Sequence, residues 1–193
     1  MLDAARSLLF SVGVENLTVQ AIAEACGAPV GSLYNRFGSR RELLARLWLR
    51  AARKSQTAAL PQFDQEDAVD VAVASARRVV NFAREEPEDA RLLASFRRED
   101  LVGHELSPEL LSELETLNQP VQVAYKQLSK RLFGDTRSES MRRVMLAVLD
   151  LPLAAIRRYV LGGRSVPPDL EPLIERAARA ILTDDTSRDD RAE

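Results

Sequence analysis

Along almost the whole chain apolar residues recur at spacings of three and four, and the alternation of a half-buried strand never persists between turn signals. Such a pattern buries its apolar side chains only when wound into helices that pack on one another, so an all-α fold is expected. Glycines, prolines and capping residues divide it. A first helix is expected over about 2–12, with Leu2, Ala5, Leu8, Leu9 and Val12 on its inner face and Gly13 closing it. Thr18 is placed as the N-cap of a second helix that carries Val19, Ile22, Ala23 and Cys26 to Gly27, and a third runs over about 29–37 before Gly38. Ser39-Arg40-Arg41-Glu42 has the form of a capping box opening a fourth helix through Leu43, Leu44, Leu47 and Trp48 toward Lys54. Beyond Pro61, helices are expected over about 65–86, 88–98, 108–133 with a kink at Pro120, 137–161 and 168–182. Residues 184–193 are too polar to form a core and are expected to be a disordered tail.

With 193 residues the chain can hold a small domain leaning on a larger one. Its lone cysteine, Cys26, cannot form an internal disulfide, and no Cys/His pair has metal-ligand spacing. A reducing cytoplasm is the expected compartment, with no metal or cofactor and with Cys26 as a small core residue. Asp150 interrupts the apolar run 144–156, which leaves no stretch near the length of a membrane span, and the patch 8–12 is too short for a signal peptide. An enzyme finds little support. The single histidine, His104, lies in a loop-like Gly103-His104-Glu105 stretch without a nucleophile or ligand at informative spacing, and Gly162-Gly163 reads as a helix stop rather than a phosphate loop.

The net charge of −2 hides an asymmetry. Residues 1–35 carry Arg6 against Asp3, Glu15 and Glu24, whereas 36–54 carry Arg36, Arg40, Arg41, Arg46, Arg50, Arg53 and Lys54 against Glu42 alone. Alone, this is a weak sign of a nucleic-acid partner, because a run of arginines on a helix is commonly a solvated face. The neighbouring helices give it meaning. Residues 18–37 have the length and punctuation of a helix-turn-helix: two short helices joined by a glycine-containing turn. Ile22, Ala23, Cys26, Leu33 and Phe37 are spaced to bury one face of each helix, and small residues at 23 and 25 permit close approach. The other faces suit a helix in the major groove. Gly31 and Ser32 lack bulk, Val30 fits a thymine methyl, Ser32 can bond bases or phosphate, and Asn35 can read an adenine edge. Thr18, Tyr34, Ser39 and Arg40 fall at helix ends or on the rim, where hydroxyls, cations and free amides bind phosphates; Gln20 and Arg36 complete the candidate DNA-binding set. A module that meets only protein partners is the rival, and the polar, small-residue exterior of the third helix argues against it.

These residues carry a family resemblance. The stretch 2–53 resembles the N-terminal domain of TetR-family regulators: an apolar first helix ending at Gly13, Thr18 before Ile22-Ala23, then Cys26-Gly27, Gly31-Ser32-Leu33-Tyr34, Phe37, and Ser39-Arg40 opening a helix with Leu43-Leu44. The resemblance implies a helix-turn-helix domain at 1–50 and a helical ligand-binding and dimerisation domain at 51–183. It further implies a homodimer that binds a near-palindromic operator in double-stranded DNA, acting as a repressor released by a small, largely apolar inducer through movement of helix four. Pro29 stands where the family commonly has a serine-like cap, and Val30 where a polar or basic residue is frequent, so one base contact becomes apolar. Minor-groove contacts from a basic arm ahead of Leu2 are not expected.

For the C-terminal region the pattern supplies candidates. Leu170, Leu173, Ile174, Ala177, Ala178, Ile181 and Leu182 form one apolar stripe on the last helix, expected to make the dimer interface, the alternative being a stripe packed only on its own domain. The helix before it is apolar on two sides, as a two-fold four-helix contact requires. Phe82, Phe96, Tyr125, Met141 and Met145 lie on apolar faces and are candidates for either core or ligand pocket. Asp150 has no cation at three or four positions; if buried, it needs an arginine from another helix, a water or a ligand donor.

Overall fold

A computed structural model describes residues 1–13, 18–63, 67–103 and 105–184, with residues 33–36 described by their backbone. The fold is all-α, and the described residues form no strand. In chain order the helices are α1 (Leu2–Val12), α2 (Val19–Cys26), α3 (Val30–Phe37), α4 (Arg40–Ala59), α5 (Ala68–Glu85), α6 (Pro87–Ser95), α7 (Arg98–Leu101), α8 (Pro108–Thr116), α9 (Gln119–Phe133), α10 (Ser138–Met145), a π-helical turn (Leu146–Asp150), α11 (Leu151–Leu161) and α12 (Leu170–Thr183). None of the described helices is long and apolar enough to cross a membrane.

Three expected helices depart from the periodicity. The one over 88–98 ends at Ser95, because Phe96 and Arg97 are extended before α7 begins. The stretch expected as one helix kinked at Pro120 is two, broken at Leu117 and Asn118, and Pro120 sits in the first turn of α9. A first-turn proline has no acceptor to lose, so the ring starts a helix more cheaply than it bends one. The stretch 137–161 is interrupted by the π turn, in which Leu151 N donates to Leu146 O, five residues back. Pro152 follows one residue later, in the first turn of α11. A wide turn there moves the preceding carbonyls away from the pyrrolidine ring, which a regular helix would bring into collision.

The chain divides into two compact units, Met1–Lys54 with Glu86–Asn118, and Ser55–Glu85 with the chain from Gln119 onward. The first division falls inside α4. In the first unit α1 packs on α2 and α6, and α2 on α3. Ala5, Leu9, Ile22, Ala23, Phe37, Leu43 and Leu47 share one buried cluster with Leu92, Leu101, Leu106, Leu110, Leu114 and Leu117. The helix-turn-helix therefore stands on a floor supplied by residues far along the chain.

In the second unit α5 lies at the centre, packed by α12, α11, α9 and the π turn. Val71, Ala72, Ala76, Val79, Val80 and Ala83 bury its face, and Ser75 Oγ, also buried, donates to Ala59 O. Arg84 binds Pro167 O at 2.8 Å and Glu171 at 2.5 Å, fixing the segment that leads into α12. Arg143 of α10 donates to Ile181 O at 2.8 Å and to Asp184 O, a cation at the carbonyl end of α12 where the helix dipole favours one.

Candidate nucleic-acid interface

Local chemistry builds the two-helix motif. Thr18 has extended backbone angles, and its Oγ1 accepts from Ala21 N at 3.0 Å, which satisfies one of the free amides opening α2. The hydroxyl proton remains available as a donor, and the residue is exposed. Gly27 closes α2 with φ 62° and ψ 28°, a left-handed geometry that costs glycine nothing, and Ala28 N reaches back to Ala23 O at 3.0 Å. That tight stop turns the chain directly into α3, whose first turn begins with Ser32 N donating to Pro29 O at 3.0 Å. Val19, Ile22 and Ala23 bury the inner face of α2, and Phe37 is buried at the end of α3.

The outer face of α3 is open. Val30 is 38% exposed, and Gly31 and Ser32 are exposed beside it. A Cβ built on Gly31 meets nothing within 4 Å among the described residues. Gly31 lies in a regular helix and shows no positive φ, so neither its conformation nor its neighbours within the protomer call for glycine. Tyr34, Asn35 and Arg36 belong to α3 by backbone, but their side chains lie outside the described residues, as do His104 and the tail from residue 185. Gln20 is exposed and bonds Glu24 at 3.3 Å along its own helix.

At the start of α4, Ser39 Oγ accepts from Glu42 N at 3.1 Å. The reciprocal half of the expected capping box is replaced: Ser39 N donates to Phe37 O, and the Glu42 carboxylate turns to Arg46 at 2.6 Å. The basic run is likewise consumed within the unit. Arg50 pairs with Asp3 at 2.9 Å, Arg53 with Glu113 at 2.7 Å and Lys54 with Glu86 at 2.6 Å, while Arg41 lies over Gly103 and donates to Asp100 O at 3.4 Å. A groove of about 370 Å³ lined by Leu2, Phe37, Leu49, Arg46, Arg50, Arg53 and Glu113 is thus rimmed by arginines that already hold carboxylates. The cationic excess at 36–54 is a scaffold of ion pairs more than a phosphate-binding stripe. Arg40, half-buried, is the first residue of α4.

Residues 1–47 match the family model of the bacterial regulatory proteins, tetR family. The N-terminal domain of this chain is of the TetR family. TetR-family regulators are DNA-binding transcription factors rather than enzymes, and the open face of α3 lies in the matched stretch. No curated protein sequence matches the chain. Its fold is that of TetR-family structures over nearly the whole length. A bacterial regulatory protein in the tetR family from Rhodococcus RHA1 superposes with a TM-score of 0.70 at 16% identity, over 94% of this chain and 94% of its own. A TetR family transcription regulator from Marinobacter aquaeolei VT8 gives 0.67 at 17% identity, over 93% and 92%. The fatty acid degradation regulator FadR from Bacillus halodurans gives 0.63 at 15% identity, over 94% and 96%. At such identities the likeness is one of fold.

Outside the TetR-family domain the sequence candidates separate. Phe82 of α5, Tyr125 of α9, Met141 and Met145 of α10 and Asp150 of the π turn all fall in the second unit, with Phe82 and Tyr125 buried. Phe96 does not join them. It packs on the core of the first unit, and its carbonyl accepts from Trp48 Nε1 at 3.0 Å, because 86–118 fold onto the N-terminal helices. Asp150 is exposed, which removes the argument that a buried carboxylate there needs a partner. The π turn explains this: one extra residue per turn rotates the rest of the helix by about 100°, carrying position 150 out of the apolar course. Burial of Tyr125, with the Asp150 charge nearby, pushes its phenol up to about 12. On α12 the stripe is turned inward at Ile174 and Ala178, which are buried in the protomer's own core against α5, leaving Leu173 exposed and Leu170, Ala177 and Ile181 half-buried.

Proposed function

We propose that this chain is a ligand-responsive transcriptional regulator, a cytoplasmic repressor that binds a near-palindromic operator as a homodimer and is released by a small, largely apolar inducer. Gly31 carries the operator reading. A glycine inside a helix costs about 0.5–1 kcal/mol relative to alanine, and no neighbour among the described residues explains it. Close approach of a base edge or sugar-phosphate backbone does. Beside it, Val30 meets a thymine methyl and Ser32 a base or phosphate, with Tyr34, Asn35 and Arg36 next on α3. Thr18, Gln20, Ser39 and Arg40 frame the contact and set its register on phosphates.

Exposed apolar residues support the dimer. Leu146 and Leu153 are 48% and 45% exposed on the turn and helix that lead to Leu161, and Leu173 is 48% exposed on α12. A second copy related by a two-fold axis covers such a face with itself. The inducer reading rests on Phe82 of α5, Tyr125 of α9, and Met141 and Met145 of α10, all in the second unit, and α4, which the unit division cuts, is one of the covalent links to the reading domain. An inducer must favour the DNA-incompetent state by its difference in affinity, about 1–3 kcal/mol for ordinary coupling. The test is selection of bound duplexes from a random library by the purified protein. An enriched, near-palindromic motif is expected, and recovery of no motif would overturn the regulator reading.

A further inference from the structure

We propose that Asp89, far outside the TetR-matched stretch, is a positioning residue for DNA reading, which presupposes that α3 reads an operator. Asp89 lies in the first turn of α6 and is 1% exposed. Its carboxylate takes Arg6 Nη1 of α1 at 2.6 Å and Lys54 Nζ of α4 at 3.3 Å. Lys54 also holds Glu86 at 2.6 Å. Arg6 Nε lies 2.9 Å from Glu88, but off the line of its N–H, so that buried donor makes no hydrogen bond and the Asp89 contact is the directional one.

The placement of these four residues gives the cluster its consequence. Lys54 is the last residue of the first unit before the chain leaves it, and Glu86 is the first after the chain returns. The cluster fastens these two of the three crossing points to α1. The same helix supplies Ala5 and Leu9 to the cluster that also buries Ile22, Ala23 and Phe37 of α2 and α3. A shift of α1 therefore moves the support on which the reading helix rests. Stability alone is a poor reason for a buried ion pair, since well-packed apolar residues of the same volume commonly do as well or better. A carboxylate that is itself buried and is held by a cation from each of two helices has few alternative arrangements, so it selects an orientation. The apolar contacts of α1 permit small slides and rotations; the charge cluster forbids them.

The experiment uses the full-length protein, a duplex selected from the random library, and a scrambled duplex of equal length. Asp89→Asn is expected to weaken the selected duplex by about tenfold and to leave the scrambled one within about twofold, in a protein that far-UV circular dichroism shows folded at the assay temperature. A merely structural role would lower the melting temperature without changing this ratio. Lys54→Gln, at a half-exposed position, is expected to act in the same direction by about threefold, and it decides the question should Asp89→Asn not fold. A folded variant that discriminates the two duplexes as the wild type does would overturn the proposal while leaving the operator reading intact. Failure of the wild type to select any motif would instead sink the operator reading.

Discussion

In the first unit a carboxylate is sunk among helices and held by cations from two of them, whereas in the second the charges run along the edge of an apolar seam. Arg6 and Lys54 meet at the buried Asp89. Between α5 and α12, by contrast, Arg77 pairs with Glu175 at 3.5 Å and Arg179 with Asp70 at 2.5 Å at exposed positions, flanking the buried Ile174, Ala178 and Leu182. Rim pairs are screened and replaceable by water; a buried one is neither. The first unit thus adds a buried charge cluster to its apolar core, whereas the charges flanking the α5–α12 seam stay at its rim.

The contrast between the units breaks most visibly if their cores are divided differently. Leu110, fully buried on α8, shares a core with the TetR-matched helices although it lies far outside residues 1–47. Leu110→Ala is expected to cost about 2–5 kcal/mol in urea unfolding and to melt DNA binding together with the fold. Retention of DNA binding through that transition would separate α8 from the reading unit. Gly31→Ala sharpens the contrast between fold and surface: about 0.5–1 kcal/mol of added stability with a loss of affinity for the selected duplex. A gain in stability with unchanged affinity would leave the glycine without a DNA role.

Smaller effects probe the rim. Arg179→Ala, which removes an exposed partner of Asp70, should change the stability in urea by less than about 1 kcal/mol and lose even that in high salt; a larger, salt-insensitive loss would contradict the division between rim and buried charge. Asp135 offers the smallest test. Hydrogen bonds from the Arg137 and Ser140 side chains and from Arg137 N hold its carboxyl down to about 2, against an ordinary 3.8. A depressed carboxyl stabilises the fold above its unfolded pKa, and that contribution is lost as the pH falls from about 4 through 2. Asp135→Asn should therefore lower the melting temperature slightly at neutral pH, where the contribution is fully present, and flatten the acid limb, so that variant and wild type converge as the pH falls through that window. An unaltered acid limb would show the contact to be absent in solution.

The features legible in residue order were local. The helix starts at Thr18, Ser107 and Pro108 and the stops at Gly13 and Gly27 depend on hydrogen bonds spanning a few residues, so capping chemistry marks them. The open face of α3 was legible for the same reason: the outward placement of Val30, Gly31 and Ser32 is set by helical spacing once Phe37 is assigned inward. Periodicity was misleading at Asp150, because a π turn changes the residues per turn that periodicity assumes. It could not divide the α12 stripe either, since an apolar face toward α5 and one toward a second copy look alike in sequence.

The sequence by itself determined that this chain is a set of helices, where the first of them begin and end, and that two of them make a helix-turn-helix of TetR type. Each of those features is enforced within a turn or two of the backbone. Only the tertiary structure decided that Phe96 and Leu110 belong with the N-terminal helices, that Arg50 and Arg53 of α4 are already paired, and that Arg6 and Lys54 share a buried carboxylate at Asp89. The partners of Asp89 lie 83 and 35 residues from it along the chain, and apolar burial and ion pairing carry no mark in either residue of which distant one it will meet.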